Sequence, residues 1–157
     1  MSTSSKVILS DVLGKSQAIH IFSGFTRDID QVSKRLDDAA QNATILAPAN
    51  DAIMKLPSKP WEDPKDYAEF GESAYNGDSG ADKAQENLKR FVEAHIVVGS
   101  PWNEREKRET LTGKTIWFEK VDGKTIILPK GIEVTSIASR VANGEVWILN
   151  GVLDYTK

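Results

Sequence analysis

Thr44-Ile45-Leu46-Ala47-Pro48-Ala49-Asn50-Asp51-Ala52-Ile53 is a short apolar run, a proline, a polar residue and a helical start. Ile45 and Leu46 suit a buried strand, and Pro48 ends its ladder because it has no N–H to give. Asn50 is placed to accept a hydrogen bond from the next backbone turn, as an N-cap does. Ten residues therefore predict strand, corner and helix start.

Upstream, Val7 to Leu13 and Ile19 to Phe25 are apolar clusters separated near Gly14 to Ser16, which predicts two short helices. Asp28 with Gln31 has capping-box spacing for a third helix. Its apolar stripe would be Ile29, Val32, Leu36 and Ala39 or Ala40. Downstream, Asp82 with Gln85 repeats the spacing before Ala84, Leu88, Phe91, Val92 and His95, which lie on one helical face. Ile96-Val97-Val98 then turns the chain into a strand, closed by Gly99. Residues 57 to 81 hold three prolines, three glycines, several carboxylates and the aromatics Trp61, Tyr67, Phe70 and Tyr75. This reads as an irregular acidic and aromatic excursion, serving either as a solvated loop or as a partner-binding one.

The last third reads as sheet. Asp122-Gly123 between Ile116–Val121 and Thr125–Leu128 is a hairpin signal, since both turn residues tolerate positive φ. Asn143-Gly144 between Ile137–Val141 and Glu145–Leu149 predicts a second hairpin. Several strands after several helices imply an α+β chain with segregated layers.

Composition narrows the function classes. The chain has 157 residues, 39% hydrophobic and 27% charged, enough for one domain with a sizeable core. A net charge of -3 with mixed signs argues against a nucleic-acid footprint. The absence of cysteine excludes disulfides and thiolate metal sites. No stretch reaches the roughly 18 apolar residues of a membrane span. The first six residues, Met-Ser-Thr-Ser-Ser-Lys, hold no apolar signal core.

Three blocks in order resemble the boxes of the fasciclin (FAS1) domain family. Thr44 to Ile53 is similar to T-x-F-A-P-x-N/D-x-A-F, and Phe91 to Gly99 to L-x-Y-H-V-V-x-G. Asn143 to Leu153 is similar to N-G-x-I-H-x-I-D-x-V-L, with Trp147 and Asn150 where histidine and aspartate are usual. The wording is nearest that of single-domain fungal members. The resemblance implies a FAS1 fold, with helices packed on a wedge of two small, mostly antiparallel sheets. One domain over 6–155 is expected, with 1–5 a disordered tail and 57–81 an insertion. It also implies an adhesive or scaffolding glycoprotein of the vacuole or secretory pathway, whose signal or anchor lies outside these residues. The family tyrosine before the histidine is Ala94, which argues against integrin binding by the Tyr-His route.

Candidate residues sort into four groups. Thr44, Pro48, Asn50, His95, Asn143 and Gly144 are structural residues of the boxes, with His95 expected to join a buried network with Asn50 or Thr44. Trp61, Tyr67, Tyr75 and Trp102 are candidate partner contacts, because rigid rings give large contact area at low entropic cost. Asn42-Ala43-Thr44 is a glycosylation sequon. His20 reads as a core-edge histidine. No residue pattern calls for a cofactor or metal, and no catalytic triad or hydrolase motif is legible. The function expected is a non-enzymatic interaction module. The alternatives are a lipid or small-molecule carrier with an apolar pocket between sheet and helices and, more remotely, an enzyme centred on His95.

Overall fold

The computed structural model describes residues 7–62, 71, 74 and 77–155. Its helices are α1 (Leu9–Leu13), α2 (His20–Asp28), α3 (Asp30–Leu36), α4 (Asn50–Met54) and α5 (Gly77–Glu93). A 3-10 turn at Gln17–Ile19 leads into α2. The strands are β1 (Ala43–Pro48), β2 (Ile96–Val98), β3 (Arg108–Glu109), β4 (Thr115–Val121), β5 (Lys124–Leu128), β6 (Ile132–Val141) and β7 (Gly144–Leu149). They form one seven-stranded sheet in the order β2-β1-β7-β6-β5-β4-β3, antiparallel except for the β1–β7 pair. The fold is α+β, and a single continuous sheet supplies both arms of the wedge. Its two ends meet where Val97 bridges Thr110 and the Leu111 N–H donates to the Ile96 carbonyl.

The opening decapeptide is buried along its whole strand, and the alternation of β side chains explains why. Ala43, Ile45 and Ala47 face the helical layer with Leu9, Phe22, Val32, Phe91 and Val146. Leu46 points the other way, into a second core of Trp102, Phe118, Ile127, Trp147 and Leu149 between the arms. A strand covered on both faces is written as a continuous apolar run, not as an alternating one. β1 ends at Pro48 as predicted, and the Ala49 N–H makes the next bond, to the Leu149 carbonyl.

Four local expectations need correction. Asp28 is the last residue of α2 and does not cap α3, whose N-cap is Ile29; Ala39 and Ala40 are exposed beyond the end of α3. α5 starts at Gly77, so Asp82 lies inside it and the irregular stretch does not extend to 81. The buried stripe Ala84, Leu88, Phe91 and Val92 continues one turn back to buried Gly80, at the same four-residue spacing. The Asp122-Gly123 turn is as predicted, with φ of 51 and 80 and Val121 paired to Lys124. The second hairpin is shifted by one residue: Val141 pairs Gly144, which makes Ala142 and Asn143 the turn. The shift follows from what Asn143 does with its side chain.

Candidate functional site

The box residues form a seam between helices and sheet. Asn143 is fully buried, and its Oδ1 accepts the Leu9 N–H of α1 at 2.7 Å. Its Nδ2 donates to the carbonyls of Leu36 and Asp38 at 3.1 and 3.2 Å. One amide thus satisfies the start of α1 and the end of α3, the groups that helices leave unpaired. Gly144 beside it has φ +154, and a Cβ there would stand 1.9 Å from the Ala43 carbonyl oxygen. Only glycine lets β1 and β7 approach at that point.

Asn50 plays the same part for another helix. It is the first residue of α4, whose N-cap is Ala49, so the predicted local cap is absent. Instead its Oδ1 accepts the Ile21 N–H at 3.0 Å and its Nδ2 donates to the Gln17 carbonyl at 2.6 Å. It caps α2, a helix 29 residues earlier in the chain. His20 lies 3.1 Å from that amide and is exposed, not at the core edge.

His95 lies on neither of the networks expected for it. Its Nδ1 donates to the Phe91 carbonyl at 2.7 Å, and its Nε2 accepts the Leu153 N–H at 2.9 Å. The ring is fully buried between Phe22 and Phe91. Burial holds its pKa down to about 4 against the Phe91 bond, which favours the proton, and Lys130 adds a smaller repulsion. Thr44 bonds elsewhere, its Oγ1 donating to the Gly99 carbonyl at 2.9 Å. With both nitrogens spent and no solvent access, His95 is not a reacting group, and the enzyme reading centred on it is withdrawn.

The four aromatic candidates separate. Trp102 is 4% exposed, stacked on Trp147 at 5.5 Å, with its Nε1 donating to the Glu106 carbonyl. It is a core residue of the second cluster, which corrects its placement among the surface contacts. Its nearness to the charged run at Glu104–Glu109 is what makes it look exposed in sequence. Trp61 is 36% exposed and stands edge-on to Phe25 at 6.3 Å, with the Asn87 amide donating to its carbonyl. Tyr67 and Tyr75 lie outside the described residues. Asn42 is exposed at the start of β1, while Thr44 of its sequon is buried.

Cavities answer the carrier alternative. The one at the helical layer, lined by Leu13, Ser23, Thr26 and Leu36, holds about 70 Å³, well below the few hundred that a small ligand needs. A cleft of about 580 Å³ lies elsewhere, at the end of the wedge. Its walls are the Pro101–Glu104 segment, the tip of the β4–β5 hairpin and the outer edge of β6, so it is not the sheet–helix pocket anticipated. Residue order gave no sign of it, because three distant segments meet there.

Comparison with known proteins agrees with this architecture. The Fasciclin domain model matches residues 17–155. A FAS1 domain-containing protein of Neurospora crassa is 53% identical over 149 residues, covering 94% of this chain and 65% of that protein. One from Aspergillus fumigatus is 53% identical over 154 residues, covering 97% and 65%. One from Emericella nidulans is 50% identical over 147 residues, covering 93% and 61%. The chain therefore spans less than two thirds of the length of these relatives. Among solved structures, a FAS1 domain pair from the insect cell adhesion molecule Fasciclin I superposes with a TM-score of 0.64 at 13% identity, covering 94% of this chain and 51% of that one. From the matched model, the close fungal relatives and the shared fold, the chain belongs to the fasciclin (FAS1) domain family.

Proposed function

We propose that this domain is a non-enzymatic interaction module, of adhesion type, in a glycoprotein of the vacuole or secretory pathway. It acts through protein–protein or protein–glycan contacts centred on the aromatic stretch after α4. The observation that carries the reading is Trp61. A large ring is half presented to solvent while Phe25 and Asn87 hold it in place, and Phe25 itself rests edge-on against the core ring of Phe91 at 6.1 Å. An anchored aromatic of this kind makes a binding contact without a large ordering cost. Exposed Asn42 supports secretory passage, and its glycan would have to be added before Thr44 is buried. The chemically engaged His95 and the small helix-side cavity favour this reading over the enzyme and carrier alternatives.

The test is capture by crosslinking from membrane and wall fractions of the native organism, using the intact protein, Trp61→Ala and a form lacking residues 58–81. Both altered forms should lose most of the recovered partner, while Trp61→Ala lowers stability by about 1 kcal/mol at most. Equal capture by all three forms would overturn the reading. Glycosidase treatment of native-source protein should shift its mass, and Asn42→Gln should abolish the shift.

A further inference from the structure

The cleft at the end of the wedge exists because the sheet splits there. β5 pairs β6 only over Ile132 to Val134, whereas β7 pairs β6 up to Val141. From Thr135 to Val141, β6 has no ladder partner on its outer side among the described residues. Two register irregularities, between Val134 and Ser136 and between Ile137 and Ser139, bend this half of the strand. A strand paired on one side presents unpaired N–H and C=O groups on the other, and those groups match another extended backbone. Ser136, Ile137 and Arg140 of this edge line the cleft. Ile137 is 40% exposed, an apolar side chain without cover.

Charge selects the occupant. Glu145 is occupied, accepting from Trp147 Nε1 and Arg140 Nε, each at 3.2 Å. Glu104 Oε2 accepts the Lys120 backbone N–H at 2.8 Å. Across from β6, the exposed ammonium groups of Lys120 and Lys124 have no ion pair among the described residues. Glu133 is the remaining lining carboxylate without one. The cleft therefore offers more uncommitted positive than negative charge, beside a row of backbone groups.

We infer that this cleft receives an extended acidic peptide segment of a partner protein, which adds as a strand to the outer edge of β6 over Thr135–Val141. Its backbone completes the ladder, an apolar side chain covers Ile137, and a carboxylate reaches Lys120 and Lys124. This is the strand-addition mode of recognition, in which main-chain bonds give affinity and alternate side chains give selectivity. The volume of about 580 Å³ suits a few residues of extended chain. The inference rests on the reading of the domain as an interaction module, and it gives that module a second, backbone-reading site away from Trp61.

The probe is a terminally blocked octapeptide of alternating valine and aspartate, titrated to millimolar concentration at low salt, with residue-resolved amide hydrogen exchange as the readout. Exchange across 135–141 should slow at least tenfold. A peptide of the same sequence with every second amide N-methylated should give no protection, and a valine–lysine peptide should bind at least tenfold more weakly. The Lys120→Glu/Lys124→Glu double variant, which changes exposed side chains, should weaken the acidic probe by about the same factor. No protection at β6 with any peptide overturns the inference, as does protection mapped elsewhere. Protection that appears on concentrating the protein alone also overturns it, because the occupant is then a second copy. A silent cleft with Trp61-dependent capture intact leaves the interaction-module reading standing. Protection at β6 without Trp61-dependent capture separates the two the other way.

Discussion

The two ends of β6–β7 are built on opposite principles. At the Asn143–Gly144 turn every polar group is matched: one buried amide closes α1 and α3, and β7 runs against β1 at a distance that only a glycine allows. A few residues back along β6, the strand is irregular, exposed and unpaired on its outer side. The matched end lies in the helix–sheet seam, where an unsatisfied group has no water to turn to. The open end faces a cleft, where solvent or another chain can supply the missing bonds. Within one hairpin, the family's box residues hold the fold together, and the part outside the box is left free to interact.

That contrast is broken most directly at Gly144. A methyl group added there meets the Ala43 carbonyl oxygen, which is backbone on both sides of the contact. Gly144→Ala must therefore separate β1 from β7 or deform the turn, and it should destabilise the domain by about 4 kcal/mol or more. Urea unfolding followed by tryptophan fluorescence measures this. A loss below about 1 kcal/mol would mean that the seam is not rigid, and the comparison would lose its first half.

A smaller effect sharpens the same half. His95 is held neutral in the fold, with its pKa lowered to about 4 from 6.5 by burial first of all. As pH falls below 6.5, the unfolded chain takes up a proton that the folded chain refuses until about 4. The stability that neutral His95 represents is thus fully present above 6.5 and is lost across that window, by about 3 kcal/mol. Unfolding free energy measured from pH 7 to 4 should fall more steeply in the natural sequence than in His95→Gln. The Gln variant starts less stable, because it replaces a ring packed between Phe22 and Phe91. Parallel curves for the two proteins would show that His95 is protonated in the fold.

The seam was largely legible in the sequence, and the open end was not. Strand, proline corner and helix start in Thr44–Ile53, the Asp122-Gly123 turn and the change from helix to strand around His95 all follow from local pattern. What each box asparagine does was misread, and for one reason. Capping rules are local, yet Asn50 caps a helix 29 residues away and Asn143 reaches Leu9 across 134. No spacing rule finds a cap supplied through space. Trp102 was misplaced in a similar way, since its charged neighbours in sequence are not its neighbours in the fold, where Phe118 and Trp147 enclose it. The cleft depends on where the β5 pairing stops, which no single strand encodes.

The smallest expected effect tests the other half of the comparison. Ile137 is a β-branched residue in a strand, a type usually kept for its packing. If it served the fold, trimming it would cost what core truncation costs, about 1 kcal/mol or more for each group removed. It is instead 40% exposed on the cleft wall, with the ladder to Trp147 made by its backbone. Ile137→Ser should therefore change the unfolding free energy by no more than about 0.5 kcal/mol. The same substitution should weaken the valine–aspartate peptide severalfold, because the apolar contact is removed while the strand edge remains. A stability loss with unchanged peptide binding would place Ile137 with the seam, and β6 would then be packed along its whole length.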